Sequence, residues 1–323
     1  MADQSRAHPV RCGIVLAGGA GRRLMSFVYR LRGDALPKQY VRFAGSRSLL
    51  AQTFDRVERL IPAERVWTVA TESHLQFPEA RDQLGSRPPG TVILQPENRE
   101  TAPGVLLPLV YLGARYPNAV VGLFPSDHFI EPEGLFMGYV DLAFRTVEAD
   151  PDVAELLGAE PDRVESEYGY IVPAACDSVR AVPGIRRVAS FVEKPTSAHA
   201  EDLAARGALW NTMVMVCRPR TLMRAVARVA PALRRAFDRV RAALGTPDEA
   251  RVVEEVYRDL SPVNLSRGVL EAMPSRRSPS LLVLPVRGVE WSDWGSEQRI
   301  TGSLERRRER NPSASADLRV DAV

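Results

Sequence analysis

Residues 11–24 read RCGIVLAGGAGRRL, and this stretch decides the fold. A short β-rich run over residues 11–16 leads directly into the glycine-rich turn of residues 18–21. Glycines let backbone N–H groups approach phosphate oxygens, and the N-terminus of a following helix favours negative charge. Arg22 and Arg23 add charge-assisted donors at the end of the turn. The stretch predicts a strand, a phosphate loop and a helix, although alone it equally fits a plain strand-to-helix connection.

Outward from this stretch, apolar runs of strand length alternate with helical patterns. This rhythm predicts an α/β protein whose doubly wound, mixed and mostly parallel sheet carries helices on both faces. Ser48 is the expected N-cap of the first long helix. The predicted strands are 11–16, 66–70, 91–94, 119–124, 169–172, 188–192, 213–217 and 281–286, and the predicted helices in the first half are 48–61 and 101–114.

The sequence pattern changes after Pro219, where long amphipathic helical patterns replace the alternation of strands and helices. Residues 220–244 predict a helix interrupted at Pro231, and residues 246–260 predict another that starts with Thr246 in a capping box. We therefore expect a catalytic core over residues 1–219 and a small helical extension with a returning strand over 220–301. Residues 302–323 are expected to form a mobile charged tail.

Composition excludes several classes of protein. Of 323 residues, 45% are hydrophobic and 26% are charged, which is typical of a globular chain, and the net charge of +3 is too small to imply nucleic acid as a partner. No apolar run is long enough to span a membrane, and the first residues lack a secretory pattern. Cys12, Cys176 and Cys217 stand far apart and are expected to be reduced, so a cytoplasmic location is predicted.

Three further positions point to phosphate and metal chemistry. Lys38, in the segment PKQ, is a compact charge that suits a polyphosphate, although alone it also fits a surface turn. Asp127 follows the buried run 119–124, so it lies at the carboxyl end of a strand, where open α/β sheets bind ligands. A carboxylate beside a polyphosphate binds Mg²⁺, and Asp293 is the expected second ligand. Each aspartate, taken alone, also fits an ordinary turn.

Seven motifs together resemble one family, the nucleoside-diphosphate-sugar pyrophosphorylases, and within it the mannose-1-phosphate guanylyltransferases. They occur in the family's order between about residues 12 and 300, and so the resemblance implies a Rossmann-like nucleotidyltransferase fold. The motifs are LAGGAGRRL with PKQ (16–24 and 37–39), NRETAP (98–103), PSDH (125–128), YGYI (168–171), FVEKP (191–195), WNT (210–212) and WSDWGS (291–296).

The resemblance implies a role for each matching residue. Arg23, Lys38 and Arg22 would be catalytic, and Asp127 and Asp293 would hold Mg²⁺. The nucleotide would be bound by Leu16, Ala17, Gly18, Gly19, Asn98, Arg99, Glu100, Thr101 and Ser126. The sugar phosphate would be bound by Gly169, Glu193, Lys194 and Asn211.

The implied reaction joins a nucleoside triphosphate, expected to be GTP, to a sugar 1-phosphate, expected to be mannose 1-phosphate, and releases pyrophosphate. These small molecules are the expected partners, without nucleic acid or membrane, and the helices of residues 220–260 offer a face for a homodimer. Two alternatives stay open. One is the same reaction with another sugar phosphate or nucleotide, and the other is a silent homologue that binds nucleotide-sugar and regulates a partner.

The chain departs from the family pattern at four places. The segment 25–36 is longer than the family's, Asn98 and Glu100 replace Gly and Asn, and Met213 stands where the family has Gly after WNS. The segment 264–271 matches the family's DYAVME only loosely. Because these places surround the base and the sugar, the sequence predicts the reaction class better than the substrates.

Overall fold

The computed structural model describes residues 9–178, 184–274 and 280–310. Its strands are β1 (Arg11–Ala17), β2 (Val66–Thr71), β3 (Val92–Gln95), β4 (Val120–Pro125), β5 (Phe129–Glu131), β6 (Val153–Ala159), β7 (Gly169–Ser178), β8 (Arg186–Glu193), β9 (Leu209–Cys217), β10 (Ser280–Val286) and β11 (Glu290–Ser292). Its helices are α1 (Met25–Arg32), α2 (Leu49–Val57), α3 (Pro78–Gly85), α4 (Thr101–Arg115), α5 (Glu133–Ala149), α6 (Ser197–Ala205), α7 (Pro219–Val229), α8 (Pro231–Ala243), α9 (Glu249–Asp259), α10 (Leu265–Gly268) and α11 (Glu297–Arg310).

The main sheet has the strand order β3-β2-β1-β4-β9-β6-β10-β8-β7, and β7 also pairs with β9. The prediction of a mixed sheet is confirmed, but the prediction that it is mostly parallel is wrong. In the described residues five strand pairs of this sheet are antiparallel and four are parallel. The reason is that β9 enters antiparallel between β4 and β6, and β8 between β10 and β7. Apolar runs indicate burial on both faces, but they carry no information about the direction of the neighbouring strand.

Both faces of the sheet are covered, as the alternation along β1 shows. Cys12 and Ile14 belong to one apolar cluster, together with buried residues of α4, α7, α8 and α9. Val15 and Ala17 belong to the other, together with buried residues of α2 and α5. Successive side chains of a strand point to opposite faces, so each cluster lies on one side of the sheet. This arrangement leaves the loops at the strand ends free to build a site.

A small second sheet brings two distant segments together at the end of β4. Strand β11 pairs antiparallel with β5, with Trp291 opposite Ile130 and Ser292 opposite Phe129. Asp293 directly follows β11, and Asp127 directly precedes His128 and β5. The pairing therefore places two carboxylates, separated by more than 160 residues in sequence, at one edge of the main sheet.

Several helix boundaries differ from the predicted ones. Ser48 caps α2 as expected, because its hydroxyl accepts a hydrogen bond from Ala51 N at 3.0 Å. Helix α4 begins at Thr101, with Glu100 at the N-cap position but no side-chain cap, and α9 begins at Glu249, the last residue of the predicted capping box. Residues 302–310 of the expected tail continue α11, and residues 311–323 lie outside the described ranges. Among the described helices, none combines the length and apolar character needed to cross a bilayer.

Candidate active site

The glycine loop after β1 is held by side chains from the neighbouring strands. Thr71 Oγ1 and Asn98 Nδ2 donate to the Gly18 carbonyl at 2.9 and 3.1 Å. A Cβ atom on Gly18 would lie 2.4 Å from Gln95 Nε2, so a larger residue would displace the Gln95 amide, which donates to Thr71 Oγ1. Gly21 has a φ of 61°, in the region that glycine adopts without strain. The loop is therefore shaped by close packing on β2 and β3 as well as by its own flexibility.

Two buried polar side chains fix the loop from below. Gln39 Nε2 donates to the carbonyls of Ala17 and Gly19 at 2.8 and 2.9 Å. Ser126 Oγ donates to the Leu16 carbonyl at 2.7 Å. These carbonyls belong to residues predicted to bind nucleotide, and Gln39 is a contributor that the sequence analysis did not single out. Its position beside Lys38 in the PKQ segment was the available signal.

The loop forms one wall of a cleft with a volume of about 280 Å³. This size lies near the lower end of the range for small-molecule sites. Most of the predicted nucleotide-binding residues line the cleft, but Ala17 and Arg99 do not. The lining residues are Leu16, Gly18, Gly19, Gln39, Val69, Gln95, Asn98, Glu100, Thr101, Gly104, Pro125, Ser126, Asp127, His128 and Met213.

The segment 98–101 closes one side of the cleft. Asn98 Oδ1 accepts from Glu100 N at 2.8 Å, and Glu100 is exposed with a φ of 72°. Thr101 Oγ1 accepts from Leu265 N at 2.8 Å, which ties α4 to α10. Arg99 turns away from the cleft, because its guanidinium donates to Glu97 and to the Arg258 carbonyl. Glu100 is thus the side chain of this segment that is available to a ligand.

Lys38 occupies the junction of the two carboxylate segments. Its side chain is 6% exposed, and Nζ lies 3.0 Å from Asp127 Oδ2. Nζ also donates to the backbone carbonyls of Asp293 at 2.5 Å and Trp294 at 3.3 Å. The buried ammonium therefore links β4 to the segment after β11. The composition also pointed to this residue: of the 43 Lys and Arg residues, only Lys38 and Lys194 are lysines.

Asp293 is buried and surrounded by cations. Its Oδ1 accepts from Arg299 Nη1 at 2.9 Å and from Gly295 N at 2.8 Å, and its Oδ2 accepts from Arg23 Nη2 at 2.9 Å. Burial raises the pKa of this carboxyl, but the opposing charges of Lys38 and Arg299 outweigh it and hold the pKa well below its usual range. Asp293 is therefore ionised near neutral pH.

The sequence analysis did not single out Arg299, which falls within the predicted extension of residues 220–301. Its side chain is 11% exposed and bridges Asp293 and Glu165, with Nη2 2.7 Å from Glu165 Oε2. The guanidinium also lies 4.7 Å from the centre of the Tyr168 ring. Helix α11 thus positions the candidate metal ligand through a fixed cation, a role that only the tertiary contacts reveal.

Arg23 and Arg22 differ in their surroundings. Arg23 is half exposed and contacts Asp293 at 2.9 Å and Glu167 at 3.3 Å. Gly295 makes room for it, because a Cβ there would lie 2.8 Å from Arg23 Nη2. Arg22 is exposed and forms no ion pair with any residue in the described part of the chain. Both residues directly follow the glycine loop, and both are exposed to an incoming anion.

The His128 ring lies between Trp291 and Asp127. Its Nδ1 accepts from Trp291 Nε1 at 3.3 Å, and its Nε2 lies 3.8 Å from Asp127 Oδ1. Burial lowers its pKa to about 4, although Asp127 opposes this shift. The ring is therefore neutral near neutral pH and carries its proton on Nε2, facing Asp127. A neutral ring at this distance packs beside Asp127 without adding a charge to the carboxylate segment.

The predicted sugar-phosphate residues lie together at the ends of β7, β8 and β9. Gly169 pairs with Glu193, and a Cβ on Gly169 would lie 2.6 Å from Glu193 Oε2. Burial raises the pKa of Glu193, and Lys194 opposes that shift. Lys194 is exposed with a φ of 52°, and the Asn211 side chain is buried. The Glu271 carboxylate, which the sequence analysis did not single out, accepts from Glu193 N at 2.7 Å.

The sequence predicts that His74 lies on the surface, but the residue is buried behind the glycine loop. Only 4% of it is exposed, and its Nδ1 lies 3.2 Å from the Tyr40 hydroxyl. Burial lowers its pKa to about 4, and a hydrogen bond with the Ala17 backbone opposes the shift. The prediction is wrong because the surrounding sequence is polar, whereas its contacts come from β1 and the segment after Lys38.

This burial predicts acid sensitivity. An unfolded chain protonates His74 below its ordinary pKa of 6.5, while the folded chain does not until about pH 4, so the free energy of unfolding falls as the pH drops through this window. Between about pH 7 and pH 5 the wild-type protein should lose about 2 kcal/mol more than His74→Gln, measured by urea unfolding. Equal losses in the two proteins would contradict the assignment.

The chain resembles known proteins over most of its length. A family model for Nucleotidyl transferase matches residues 12–302. The chain is 27% identical over 286 residues to the xanthan biosynthesis protein XanB of Xanthomonas campestris pv. campestris (strain B100), covering 88% of this chain and 57% of that protein. It is 28% identical over 287 residues to the mannose-1-phosphate guanylyltransferase of Salmonella montevideo, covering 88% and 58%. The chain therefore spans less than two thirds of these relatives.

A solved structure supports the same relationship. The mannose-1-phosphate geranyltransferase from Thermus thermophilus superposes with a TM-score of 0.75 and 26% sequence identity, covering 90% of this chain and 79% of that one. The family match spans well over half of the chain and includes the glycine loop, Lys38, Asp127 and Asp293. This protein belongs to the Nucleotidyl transferase family.

Proposed function

We propose that this chain transfers a nucleoside monophosphate from a nucleoside triphosphate, with GTP preferred, to a sugar 1-phosphate, with mannose 1-phosphate preferred. One observation carries the proposal. The Lys38 ammonium lies 3.0 Å from Asp127 and contacts the Asp293 backbone, beside the glycine loop. A buried ammonium between two carboxylate segments at a phosphate loop suits a reaction between two phosphates.

The chemistry requires no protein nucleophile. The phosphate oxygen of a sugar 1-phosphate is already anionic near neutral pH and attacks the α-phosphorus in line, and pyrophosphate leaves as the α–β bond breaks. The chain must therefore align two anions and neutralise their charge. Arg23 faces the leaving phosphates in this proposal, and Lys38 bridges the α-phosphate and the sugar phosphate.

The carboxylates fit Mg²⁺ as a cofactor. Mg²⁺ is commonly held by one or two carboxylates together with substrate phosphates, and Asp127 and Asp293 offer such oxygen donors. No group of three or more His, Cys, Asp or Glu suited to a metal occurs in residues 9–178, 184–274 and 280–310, so the substrate would complete the coordination. The ion would supply charge neutralisation of the polyphosphate when bound.

Glu100 supports a guanine base. It is exposed at the side of the cleft, and its carboxylate is an acceptor only. Guanine presents two neighbouring donors, N1–H and N2–H₂, which a carboxylate can accept together. Adenine and cytosine lack this pair of donors on one edge. The resemblance to mannose-1-phosphate guanylyltransferases points in the same direction.

Pyrophosphate release tests the proposal directly. The purified protein with Mg²⁺ and mannose 1-phosphate should release pyrophosphate with GTP and much less with ATP, UTP or CTP. Release with another nucleotide instead of GTP would support the proposed reaction but overturn the assignment of Glu100 to guanine. If no nucleotide supports release with mannose, glucose or N-acetylglucosamine 1-phosphate, although nucleotide binds, the transferase proposal fails in favour of a regulatory homologue.

A further inference from the structure

Met213 has an unusual backbone for a residue inside a strand. Its φ is 61°, whereas most non-glycine residues avoid this region because of steric strain. The strain coincides with a bulge, because Leu156 of β6 pairs with Met215 while Gly158 pairs with Asn211. The segment from Asn211 to Met215 advances four residues along β9, whereas the segment of β6 that it pairs with advances only two. Bulges near active sites commonly redirect a side chain, and strained residues cluster at such sites.

The residues on both sides lock the bulge in place. Thr212 Oγ1 donates to the Leu157 carbonyl at 2.7 Å. Met213 N donates to Asn211 Oδ1 at 3.0 Å. Both Asn211 and Thr212 are buried, so the two bonds are shielded from water. The conformation of Met213 is consequently built into the strand.

The Met213 thioether contacts side chains at the predicted sugar-binding side of the site. Its Sδ is 3.2 Å from Asn211 Nδ2 and 3.5 Å from Ser266 Oγ, and Ser266 also hydrogen-bonds the Glu193 carboxyl. Met213 lines the nucleotide cleft as well. It therefore fills the space between the nucleotide side and the sugar side of the candidate site. Because sulfur is a weak acceptor, a sugar hydroxyl can replace it on the Asn211 amide without loss.

We propose that Met213 is a specificity-determining residue that limits the sugar pocket to sugar 1-phosphates bearing hydroxyl groups alone. The inference rests on the proposed function. An N-acetyl group in place of a ring hydroxyl needs additional volume beside Asn211, and the Met213 side chain occupies that volume. Packed sites accommodate extra atoms poorly, so the larger sugar is excluded. The strained backbone is retained because it aims the side chain into the pocket.

The test compares binding of mannose 1-phosphate and N-acetylglucosamine 1-phosphate by calorimetry, which needs no turnover. In Met213→Gly the affinity ratio should shift toward the N-acetyl sugar by about tenfold or more. The same variant should melt at a higher temperature, because glycine relieves the strain at this φ. Met213→Leu keeps the volume and should keep the wild-type ratio.

Met215→Leu is the matched control, since Met215 lies two residues further along β9, is buried in the apolar cluster that contains α4 and α7, and should not affect the ratio. A ratio within about twofold of wild type in Met213→Gly would overturn the proposal. Failure of either sugar phosphate to bind any variant would overturn it too. Absence of pyrophosphate release with a shifted binding ratio would instead refute the proposed reaction and leave the role of Met213 intact.

Discussion

Replacing Lys38 by methionine is expected to lower turnover by about 10³-fold at saturating substrates, the loss typical of removing a donor aimed at developing charge. Methionine keeps most of the buried stem but removes the ammonium that contacts Asp127 and the carbonyls of Asp293 and Trp294. Steady-state kinetics with both substrates varied would separate a loss in kcat from a loss of binding. A rise in KM with kcat unchanged would contradict a role in the transition state.

Lys38→Arg is the informative companion. A planar guanidinium cannot reproduce a point charge that contacts three oxygens in a buried pocket, so arginine should not restore turnover. The composition supports this expectation, because the chain uses arginine almost everywhere else and keeps lysine only at Lys38 and Lys194. Full activity of Lys38→Arg would show that charge alone is needed.

Replacing Asp293 by asparagine is expected to reduce both turnover and stability. The Asp293 and Arg299 side chains are 12% and 11% exposed, so removing the Asp293 charge leaves the buried Arg299 with Glu165 as its one remaining carboxylate partner among the described residues. Breaking such a pair costs about 3 kcal/mol or more, and urea unfolding at neutral pH measures that loss. The depressed pKa of Asp293 means that the stabilisation is present above its usual pKa of 3.8 and is lost as the pH falls below it.

Asp127→Asn is the matched control for the structural part of this effect. Asp127 is 32% exposed, and Lys38 keeps the carbonyls of Asp293 and Trp294 as acceptors, so the loss of Asp127 should lower the free energy of unfolding less than the loss of Asp293. Both variants should nevertheless abolish most Mg²⁺-dependent turnover, because both carboxylates belong to the proposed metal site. Full Mg²⁺-dependent turnover in Asp127→Asn would refute the role of Asp127 in the proposed metal site. Equal destabilisation by both variants would refute the larger structural role of Asp293.

The sequence alone determined the local elements and most of the candidate site. Glycine, proline and apolar periodicity act within a few residues, so strand β1, the loop that follows it and the Ser48 cap were readable. Asp127 could be placed at a strand end because a doubly buried run precedes it. These features depend on short-range sterics and on burial, which composition and spacing record.

The tertiary structure decided what depends on distant neighbours. Contacts between distant parts of the chain produce the antiparallel insertion of β9, the burial of His74 and the ion pair between Arg299 and Asp293. Met213 illustrates the limit: its sequence shows a methionine where the family carries glycine, but only the fold shows a φ of 61° and a thioether on Asn211. Periodicity reports how deeply a residue is buried, while the identity of its partner is set by the packing of the whole chain.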